Sequence, residues 1–494
     1  MNYISTRNKN IKVSAAQAIS QGISKDGGLF VPETIPALTE ADFNKLKSMS
    51  YVERAAFVLK LFLTDFTDEE IDYCVKGAYL GSFDNDNPAP LKNIGGNTNI
   101  LELWHGPTCA FKDLALQLLP YLLTTSAKKV SGGKEIVILV ATSGDTGKAA
   151  LEGFCDVENT KIIVFYPNDG VSAMQKLQMD TQKGDNVFVC AINGNFDDAQ
   201  TGVKKIFTDN SVAEILEKAN MQFSSANSIN WGRLAPQIIY YISAYCDMLK
   251  EGTDLSNGFN VVVPTGNFGN ILAAYYAKVM GVPINKLVCA SNANNVLTDF
   301  INTGVYDRNR KFYTTISPSM DILISSNLER MLFEICGRDD KTVAALQADL
   351  NSNGKYTVSD EIANKFKDLF FGGCCDDEKT LSTIKDTFNN KDYLCDTHTA
   401  VAVNVYNNYV ETTGDNRPAV IASTASPYKF ANSVLEGIGE EICSDEFSTV
   451  EKLSSISGVP VPAPIDALKN ASPRFNNVCE KQDMIKVVLK NLGL

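Results

Sequence analysis

The chain changes its pattern of apolar and polar positions near residue 95. Before that point, three segments carry apolar residues at helical spacing, and a polar, turn-rich stretch follows them. The three segments cover residues 40–49, 52–62 and 68–77, and the turn-rich stretch covers residues 81–90. This pattern predicts a mostly helical N-terminal domain over residues 1–95.

Beyond residue 95, short apolar runs rich in β-branched residues alternate with helical segments. Runs that are apolar throughout indicate parallel strands buried on both faces of a sheet. The predicted strands cover residues 135–141, 161–166, 186–191, 258–263, 286–291 and 419–423. We therefore predict an α/β fold with doubly wound, mainly parallel sheets. Residues 300–395 show few strand signals, and we interpret them as helical elaboration of the main body.

Composition excludes several classes of function. The 494 residues contain 45 Lys and Arg against 58 Asp and Glu, which gives a formal charge of −13. An acidic chain without a basic cluster repels nucleic acid and anionic lipid, and no apolar run approaches the roughly 18 residues that span a bilayer. We expect no nucleic-acid or membrane partner. The first residues resemble no targeting signal, so a cytoplasmic location is the default expectation.

Cysteine and histidine usage argues against a metal or redox site. The 12 cysteines are scattered without a C-x-x-C pair, and the chain has only 2 histidines, His105 and His398. Free thiols in a reducing compartment are the simplest interpretation. We predict no metal site.

Two strand-to-helix loops are candidates for binding anions. One contains Thr142 to Gly147 and the other contains Pro264 to Asn270. Glycines let backbone N–H groups converge, and the helix N-terminus adds a partial positive charge. The alternative for each loop is that glycine only permits a tight turn. Neither loop matches the P-loop or the G-x-G-x-x-G fingerprint, which disfavours nucleoside triphosphates and dinucleotides.

Lys112 occupies an unusual position for a lysine. It opens an apolar helix, where the helix dipole disfavours a cation and burial favours the neutral amine. Only an unprotonated amine attacks a carbonyl, so Lys112 is a candidate for a Schiff base. A surface charge is the alternative.

Four segments together resemble the threonine synthase family, whose members use pyridoxal phosphate and share the fold of the tryptophan synthase β subunit. They are residues 105–113, 142–147, 224–233 and 266–269. Shorter matches follow the same order along nearly the whole chain, at residues 3–7, 26–30, 317–321 and 423–427. The ordered combination is more specific than any single motif.

The resemblance implies a pyridoxal 5'-phosphate site between two sheets. It implies a larger domain formed by residues 96–134 and 225–494 and a smaller α/β domain over residues 135–224. Lys112 would be the catalytic residue, bonded to the cofactor aldehyde and later moving protons. The cofactor phosphate would be held by Gly266, Asn267, Phe268, Gly269 and Asn270. Thr424 would face the pyridine nitrogen, with a helix cap as its alternative role.

The resemblance also implies the substrate O-phospho-L-homoserine, which would lose phosphate by γ-elimination and gain water at the β carbon to give L-threonine. The substrate carboxylate would be bound by Thr142, Ser143, Gly144, Asp145 and Thr146. The substrate phosphate would be bound by Asn227, Ser228, Asn230 and Arg233, with help from Thr108. The alternative is that this Asn and Ser cluster caps a helix and Arg233 faces solvent. The roles of Asp145 and His105 stay open, and either a monomer or a homodimer fits.

Two other functions remain to be weighed. The first is a β-replacement enzyme or dehydratase acting on serine, threonine or an acetylated serine, which needs no second phosphate site. The second is a non-enzymatic effector-binding or scaffold protein that has kept a pyridoxal-type fold. The cluster from Asn227 to Arg233 disfavours the first, and the intact Lys112 and anion loops disfavour the second.

Overall fold

Two large sheets flanked by helices organise the chain. The computed structural model describes residues 1–142, 144–168 and 171–494. In these residues the strands are β1 (Tyr3–Ser5), β2 (Lys12–Val13), β3 (Phe30–Pro32), β4 (Leu91–Asn93), β5 (Thr98–Glu102), β6 (Glu135–Ala141), β7 (Thr160–Pro167), β8 (Val187–Asn193), β9 (Met221–Ser224), β10 (Phe259–Pro264), β11 (Ile284–Ser291), β12 (Val305–Asp307), β13 (Lys355–Thr357), β14 (Phe370–Cys374), β15 (Ala419–Ser423) and β16 (Val478–Glu480).

The helices of the described residues surround these sheets. They are α1 (Ala15–Gln21), α2 (Glu40–Ser48), α3 (Tyr51–Phe62), α4 (Asp68–Tyr79), α5 (Asp113–Leu116), α6 (Leu119–Val130), α7 (Asp145–Gly153), α8 (Ala173–Asp180), α9 (Phe196–Phe207), α10 (Asn210–Lys218), α11 (Trp231–Lys250), α12 (Gly269–Val279), α13 (Val296–Thr303), α14 (Leu328–Ile335), α15 (Asp340–Asn353), α16 (Asp360–Leu369), α17 (Asp377–Lys391), α18 (Thr397–Thr413), α19 (Ala431–Gly437), α20 (Glu446–Ser457), α21 (Ala463–Asp466) and α22 (Met484–Leu492). Short 3₁₀ helices cover Pro318–Met320, Pro427–Phe430, Ala467–Asn470 and Lys481–Asp483.

The N-terminal region contains α1 to α4 and a small antiparallel sheet of order β2-β1-β3. Each of the four helices begins with a capping box, in which a Ser or Thr and the residue three positions later satisfy the free N–H groups. The predicted helices match α2, α3 and α4. The small sheet was not predicted, because strands of two or three residues are too short to show alternation.

The larger sheet has the order β14-β11-β10-β15-β5-β4 and is parallel except for the edge strand β4. Its central strands are apolar throughout because both faces are covered. In β10, Val261 and Val263 pack into the core that includes the N-terminal region, whereas Val262 packs into a second core against α18. This double burial confirms the predicted α/β fold with a mainly parallel sheet.

The smaller sheet has the order β16-β8-β7-β6-β9 and is parallel throughout. Side chains of β6 alternate between two cores, with Ile138 on one face and Leu139 on the face covered by α9, α10 and α22. The C-terminal strand β16 pairs with β8 and so belongs to this sheet. From the sequence, we assigned all of residues 225–494 to the larger domain. The pairing of β16 instead joins the last residues of the chain to the smaller sheet.

The region over residues 300–395 also differs from the expectation. It is mostly helical as predicted, but β14 adds an edge strand to the larger sheet, and β12 pairs with β13. The sequence of β14, FFGGC, lacks the β-branched residues that mark the other strands. Among the described residues, no helix is both long and apolar enough to cross a bilayer.

Candidate active site

Lys112 lies where the two chain segments that follow β5 and β15 meet. An isolated antiparallel bridge joins Ala110 to Ala425, and the N–H of Phe111 donates to the carbonyl of Thr424 at 2.8 Å. These contacts fix the backbone on both sides of Lys112, which immediately precedes α5. The predicted neighbours Lys112 and Thr424 are thus brought together.

A buried turn over residues 108–113 fixes the backbone next to Lys112. The carboxylate of Asp113 accepts from the backbone N–H of Thr108 at 2.8 Å and from its hydroxyl at 2.6 Å. Burial raises the pKa of Asp113 to about 6. Because the hydroxyl of Thr108 is bonded to Asp113, it shapes the turn and is not free for a ligand.

The carboxylate of Asp145 lies at the centre of a buried polar cluster. Its Oδ1 is 2.7 Å from the Nζ of Lys429 and accepts from the side-chain amide of Gln175 at 3.2 Å. Its Oδ2 accepts from the hydroxyl of Ser319 at 3.1 Å and lies 3.5 Å from the Nζ of Lys112. Asp145 therefore joins the helix after β6 to the segments that contain Lys112, Ser319 and Lys429.

The charges of this cluster set the protonation of its members. Burial opposes ionisation of Asp145, but Lys429 and Lys112 outweigh burial and hold the pKa of Asp145 well below its usual range. For Lys112, burial and the positive charges of Lys429 and Arg233 lower the pKa, despite the attraction of Asp145. The structure thus supplies an amine that loses its proton more easily than an ordinary lysine.

The loop between β6 and α7 is held in shape by its own threonine. The hydroxyl of Thr142 accepts from the N–H of Gly144 at 3.0 Å and from that of Gly147 at 2.9 Å. Gly144 has a φ of 136°, and a Cβ there would collide with Gln175, so glycine is required. Ser143 lies outside the described residues, and Thr146 lies in the first turn of α7.

The loop between β10 and α12 offers free hydrogen-bond donors. Phe268 precedes α12 in the left-handed conformation, with a φ of 62°. The side-chain oxygen of Asn270 accepts from the hydroxyl of Tyr241, whereas its buried Nδ2 has no partner among the described residues. An unsatisfied buried N–H at a helix N-terminus suits an anion. Gly266, Asn267 and Gly269 complete this loop.

The segment before α11 combines a helix cap with a buried cation. Asn230 caps α11 by accepting from Gly232 N–H, and its amide donates to the carbonyls of Ile19 and Ser225. Its polar atoms are therefore all used within the protein. Asn227 is exposed and Ser228 is half-buried at the same turn.

Arg233 is buried in this segment and does not face solvent, in contrast to the alternative considered from the sequence. It is 3% exposed, its Nη1 donates to the carbonyl of Ala226, and its Nε has no partner among the described residues. Within the described part of the chain, no carboxylate lies at ion-pair distance from it. Burial lowers the pKa of Arg233 to about 10. A buried guanidinium without an acidic partner is a site for an anion.

A segment that the sequence did not single out connects the two predicted phosphate sites. The side-chain amide of Asn327 donates to the carbonyls of Ser228 and Asn267, at 3.2 and 3.1 Å. The hydroxyl of Ser325 donates to the carbonyl of Gly266 at 2.7 Å. The loop at 266–270 and the turn at 227–230 are therefore adjacent. The sequence of this segment contains no recognisable motif. Its place in the site follows only from its contacts with residues distant in the chain.

Lys429 and His398 belong to the same polar cluster, Lys429 through Asp145 itself and His398 through Ser319. Lys429 lies in the 3₁₀ helix after β15 and also donates to the carbonyl of Thr108 at 3.0 Å. His398 accepts from the N–H of Ser319 at 3.1 Å, and its Nδ1 lies 2.7 Å from Asp396. The sequence suggested only a possible capping contact for His398 and assigned no role to Lys429.

Thr424 and His105 have distinct surroundings. Ser426 caps the 3₁₀ helix Pro427–Phe430, so Thr424 does not have the capping role considered from the sequence.

His105 has Asp84 at 2.8 Å and Glu102 at 3.0 Å on its two ring nitrogens. Burial lowers the pKa of His105, but these carboxylates outweigh burial and raise it overall. Within the described residues, no cluster of His, Cys, Asp and Glu is arranged to hold a metal.

Comparison with known proteins gives consistent matches along the chain. Residues 2–79 match the family described as threonine synthase N terminus, residues 88–350 match pyridoxal-phosphate dependent enzyme, and residues 399–488 match threonine synthase, C-terminal. The order of the three matches follows the order of the structural regions.

Curated relatives named threonine synthase or threonine synthase-like 1 align with most of this sequence. The chain is 40% identical over 464 residues to threonine synthase-like 1 from Homo sapiens, which covers 91% of this chain but only 62% of that longer protein. It is 38% identical over 442 residues to threonine synthase from Pseudomonas aeruginosa, covering 89% of this chain and 91% of that one. For threonine synthase from Saccharomyces cerevisiae the identity is 36% over 505 residues, covering 95% and 97%.

Solved structures resemble the whole fold. A threonine synthase from Brucella melitensis with bound pyridoxal phosphate has a TM-score of 0.89 and 35% identity, with 99% of each chain covered. The threonine synthase from yeast has a TM-score of 0.89 and 32% identity, with 100% of this chain and 99% of that one covered.

Proposed function

This chain belongs to the threonine synthase family of pyridoxal-phosphate-dependent enzymes, and we propose on that premise that it converts O-phospho-L-homoserine and water into L-threonine and phosphate. It is then a lyase that breaks the carbon–oxygen bond of a phosphate ester.

The buried guanidinium of Arg233 is the observation that supports this function most directly. The loop at 266–270 suits one phosphate, and Arg233 with Ser228 and Asn227 offers a separate anion site beside it. A substrate that carries its own phosphate, in addition to that of the cofactor, needs two such sites. A dehydratase acting on serine or threonine needs only one.

The residues present fit pyridoxal 5'-phosphate. The unpartnered Nδ2 of Asn270, the N-terminus of α12 and the backbone of Gly266 to Gly269 would hold its phosphate. Lys112 would bind its aldehyde, and the hydroxyl of Thr424 would face its ring nitrogen. When bound, this cofactor supplies an electron sink for negative charge developing at the substrate carbons.

The amine of Lys112 moves protons in the proposed reaction. Its lowered pKa makes the neutral amine easier to reach than in an ordinary lysine, and as a neutral base it would take a proton from the substrate α carbon and exchange protons at the β carbon. The loop after β6 and the first turn of α7 would orient the substrate carboxylate through Thr142, Gly144, Asp145 and Thr146. Ser143, also predicted to contribute, lies outside the described residues.

Arg233 would bind the substrate phosphate and stabilise it as the Cγ–O bond breaks and the electron pair leaves with the phosphate. Ser228 and Asn227 would donate further hydrogen bonds. We propose that Asn230 and Thr108 shape the site without touching substrate, since their side chains are bonded to the protein.

Product analysis of the purified chain tests this function. With pyridoxal 5'-phosphate added, we expect equal amounts of L-threonine and inorganic phosphate from O-phospho-L-homoserine, and none from the Lys112→Ala variant. A chain that releases no phosphate but forms a keto acid from serine or threonine would be a dehydratase. A chain that neither turns over these substrates nor binds the cofactor would be a scaffold protein.

A further inference from the structure

Lys429 is a fully buried lysine with no established role in the proposed reaction. Its side chain is 0% exposed, and its Nζ contacts Oδ1 of Asp145 at 2.7 Å and the carbonyl of Thr108 at 3.0 Å. A buried ammonium group is tolerated only when it is paired. The pairing partner here is the same carboxylate that faces Lys112.

Asp145 thus has two lysines but only one close ion pair. Lys429 lies 2.7 Å from one oxygen, whereas Lys112 lies 3.5 Å from the other oxygen. That second oxygen also accepts from Ser319, and Gln175 donates to the first. The Asp145 carboxylate is therefore held by groups other than Lys112. The ammonium group of Lys429 alone compensates most of its negative charge.

We propose that Lys429 is a positioning residue of the active site, which holds Asp145 in a close ion pair and so keeps this carboxylate from trapping the Lys112 amine as an ammonium ion. This inference deepens the proposed function and rests on Lys112 being the amine that binds the cofactor aldehyde.

The charged groups around Lys112 act in opposite directions. Asp145 from α7 favours its ammonium form, whereas Lys429 from the 3₁₀ helix and Arg233 from α11 favour the neutral amine. The adjacent Asp113 is turned toward Thr108 and has a raised pKa because of burial. Lys429 therefore acts on Lys112 in two ways, by direct repulsion and by occupying Asp145.

Two variants distinguish this role from simple support of the fold. Lys429→Met removes a positive charge and leaves Asp145 to pair with Lys112 alone, which raises the pKa of Lys112. Asp145→Asn removes the negative charge, which lowers the pKa of Lys112. Both variants disturb a buried ion pair and lose stability, but only the electrostatic role predicts shifts of opposite sign.

The experiment follows capture of pyridoxal 5'-phosphate by the full chain after its cofactor has been removed. The Nζ of Lys112 forms a C=N bond with the aldehyde carbon, and the aldehyde oxygen leaves as water. The rate is measured by absorbance between pH 6 and 10, and borohydride reduction followed by peptide mass spectrometry identifies Lys112. Neither readout depends on turnover.

We expect the midpoint of the pH–rate curve to rise by about one unit in Lys429→Met, so that capture at pH 7 slows about tenfold. We expect the midpoint to fall in Asp145→Asn. The double variant keeps the buried charge balanced, and its midpoint should lie between those of the single variants. As a matched control, Lys176→Met removes a lysine that pairs with Asp180 on α8, at 3.3 Å, and should leave the midpoint unchanged.

Unchanged midpoints, or shifts of the same sign in Lys429→Met and Asp145→Asn, would overturn the inference alone. Failure of the unmodified chain to capture the cofactor at Lys112 would overturn the proposed function and this inference together. If Lys429→Met does not fold, the direction of the shift in Asp145→Asn and the midpoint of the double variant decide the question.

Discussion

Arg233 is a buried cation that the protein leaves partly unsatisfied, so replacing it by Met should separate ligand binding from folding. The variant loses one hydrogen bond from a charged group, to the carbonyl of Ala226, worth about 1.5–3 kcal/mol. It also removes a buried charge without an acidic partner and an unpaired Nε, which is a gain of about 1–3 kcal/mol. We expect the free energy of unfolding, measured without substrate or inorganic phosphate, to change by no more than about 2 kcal/mol.

Catalysis should respond much more strongly than folding. If Arg233 donates two hydrogen bonds to the substrate phosphate, their loss is about 3–6 kcal/mol, which is a decrease in kcat/KM of roughly two to four orders of magnitude. Inorganic phosphate at about 100 times its Kd should stabilise the unmodified protein by about 2.7 kcal/mol and the variant hardly at all.

Arg330 provides a matched control, because it is also buried but each of its three guanidinium nitrogens donates a hydrogen bond. Its guanidinium donates to the carbonyl of Phe30 at 3.0 Å, to Asn327 at 2.6 Å and to the carbonyl of Ile229 at 2.6 Å. Arg330→Met should therefore lower the free energy of unfolding by about 3–5 kcal/mol.

The assay is urea unfolding of both variants with saturating pyridoxal 5'-phosphate, with and without inorganic phosphate. Saturation with cofactor keeps inorganic phosphate from competing at the loop of residues 266–270. The interpretation is refuted if Arg233→Met is destabilised as much as Arg330→Met while still being stabilised by phosphate. That result would make Arg233 a structural residue.

Three further outcomes follow from the same structure. Lys112→Ala should bind cofactor without the borohydride-stable bond and lose activity by at least about a thousandfold, measured as phosphate release. Gly153→Ala should unfold at least about 3 kcal/mol more easily in urea, because a Cβ there would collide with the backbone carbonyl of Leu116. The pKa of Asp113 is raised from 3.8 to about 6, so the protonated form stabilises the folded protein. This stabilisation is complete below pH 3.8 and is lost as the pH rises through 6. The contribution of Asp113 to the free energy of unfolding should fall by about 3 kcal/mol over that window, measured as the difference between the unmodified protein and Asp113→Asn at each pH.

Much of the fold could be predicted from sequence because buried parallel strands leave a strong local signal. The predicted strand over residues 135–141 coincides with β6, and that over 419–423 coincides with β15. The short strands β9 and β16 were missed, since they have three or four residues and gain their order from pairing with longer neighbours. Pairing across the chain is a tertiary property that no local pattern reports.

In the candidate site, too, local sequence patterns predicted some residues, whereas others could be found only from tertiary contacts. Lys112 and the loop of residues 266–270 could be predicted because glycine, asparagine and lysine occur at strand-to-helix junctions in a characteristic order. Lys429 and Asn327 could not, since a lone lysine or asparagine is most often a surface residue. The role of Asn327 depends on a contact 60 positions away along the chain, and that of Lys429 on burial and on a contact 321 positions away.

The sequence left the role of Asp145 open, and the structure shows which charges surround its carboxylate. A carboxylate at this position would repel an anionic cofactor if its charge stood alone, but here it faces two lysines. Arg233 is also buried nearby, so basic side chains are concentrated around this carboxylate, although the whole chain carries a charge of −13. A buried group of basic side chains in an acidic protein favours small anions at that place, while the outer surface repels polyanions. That combination suits a substrate and a cofactor that both carry phosphate, and it explains why acidic composition and phosphate binding are compatible in one chain.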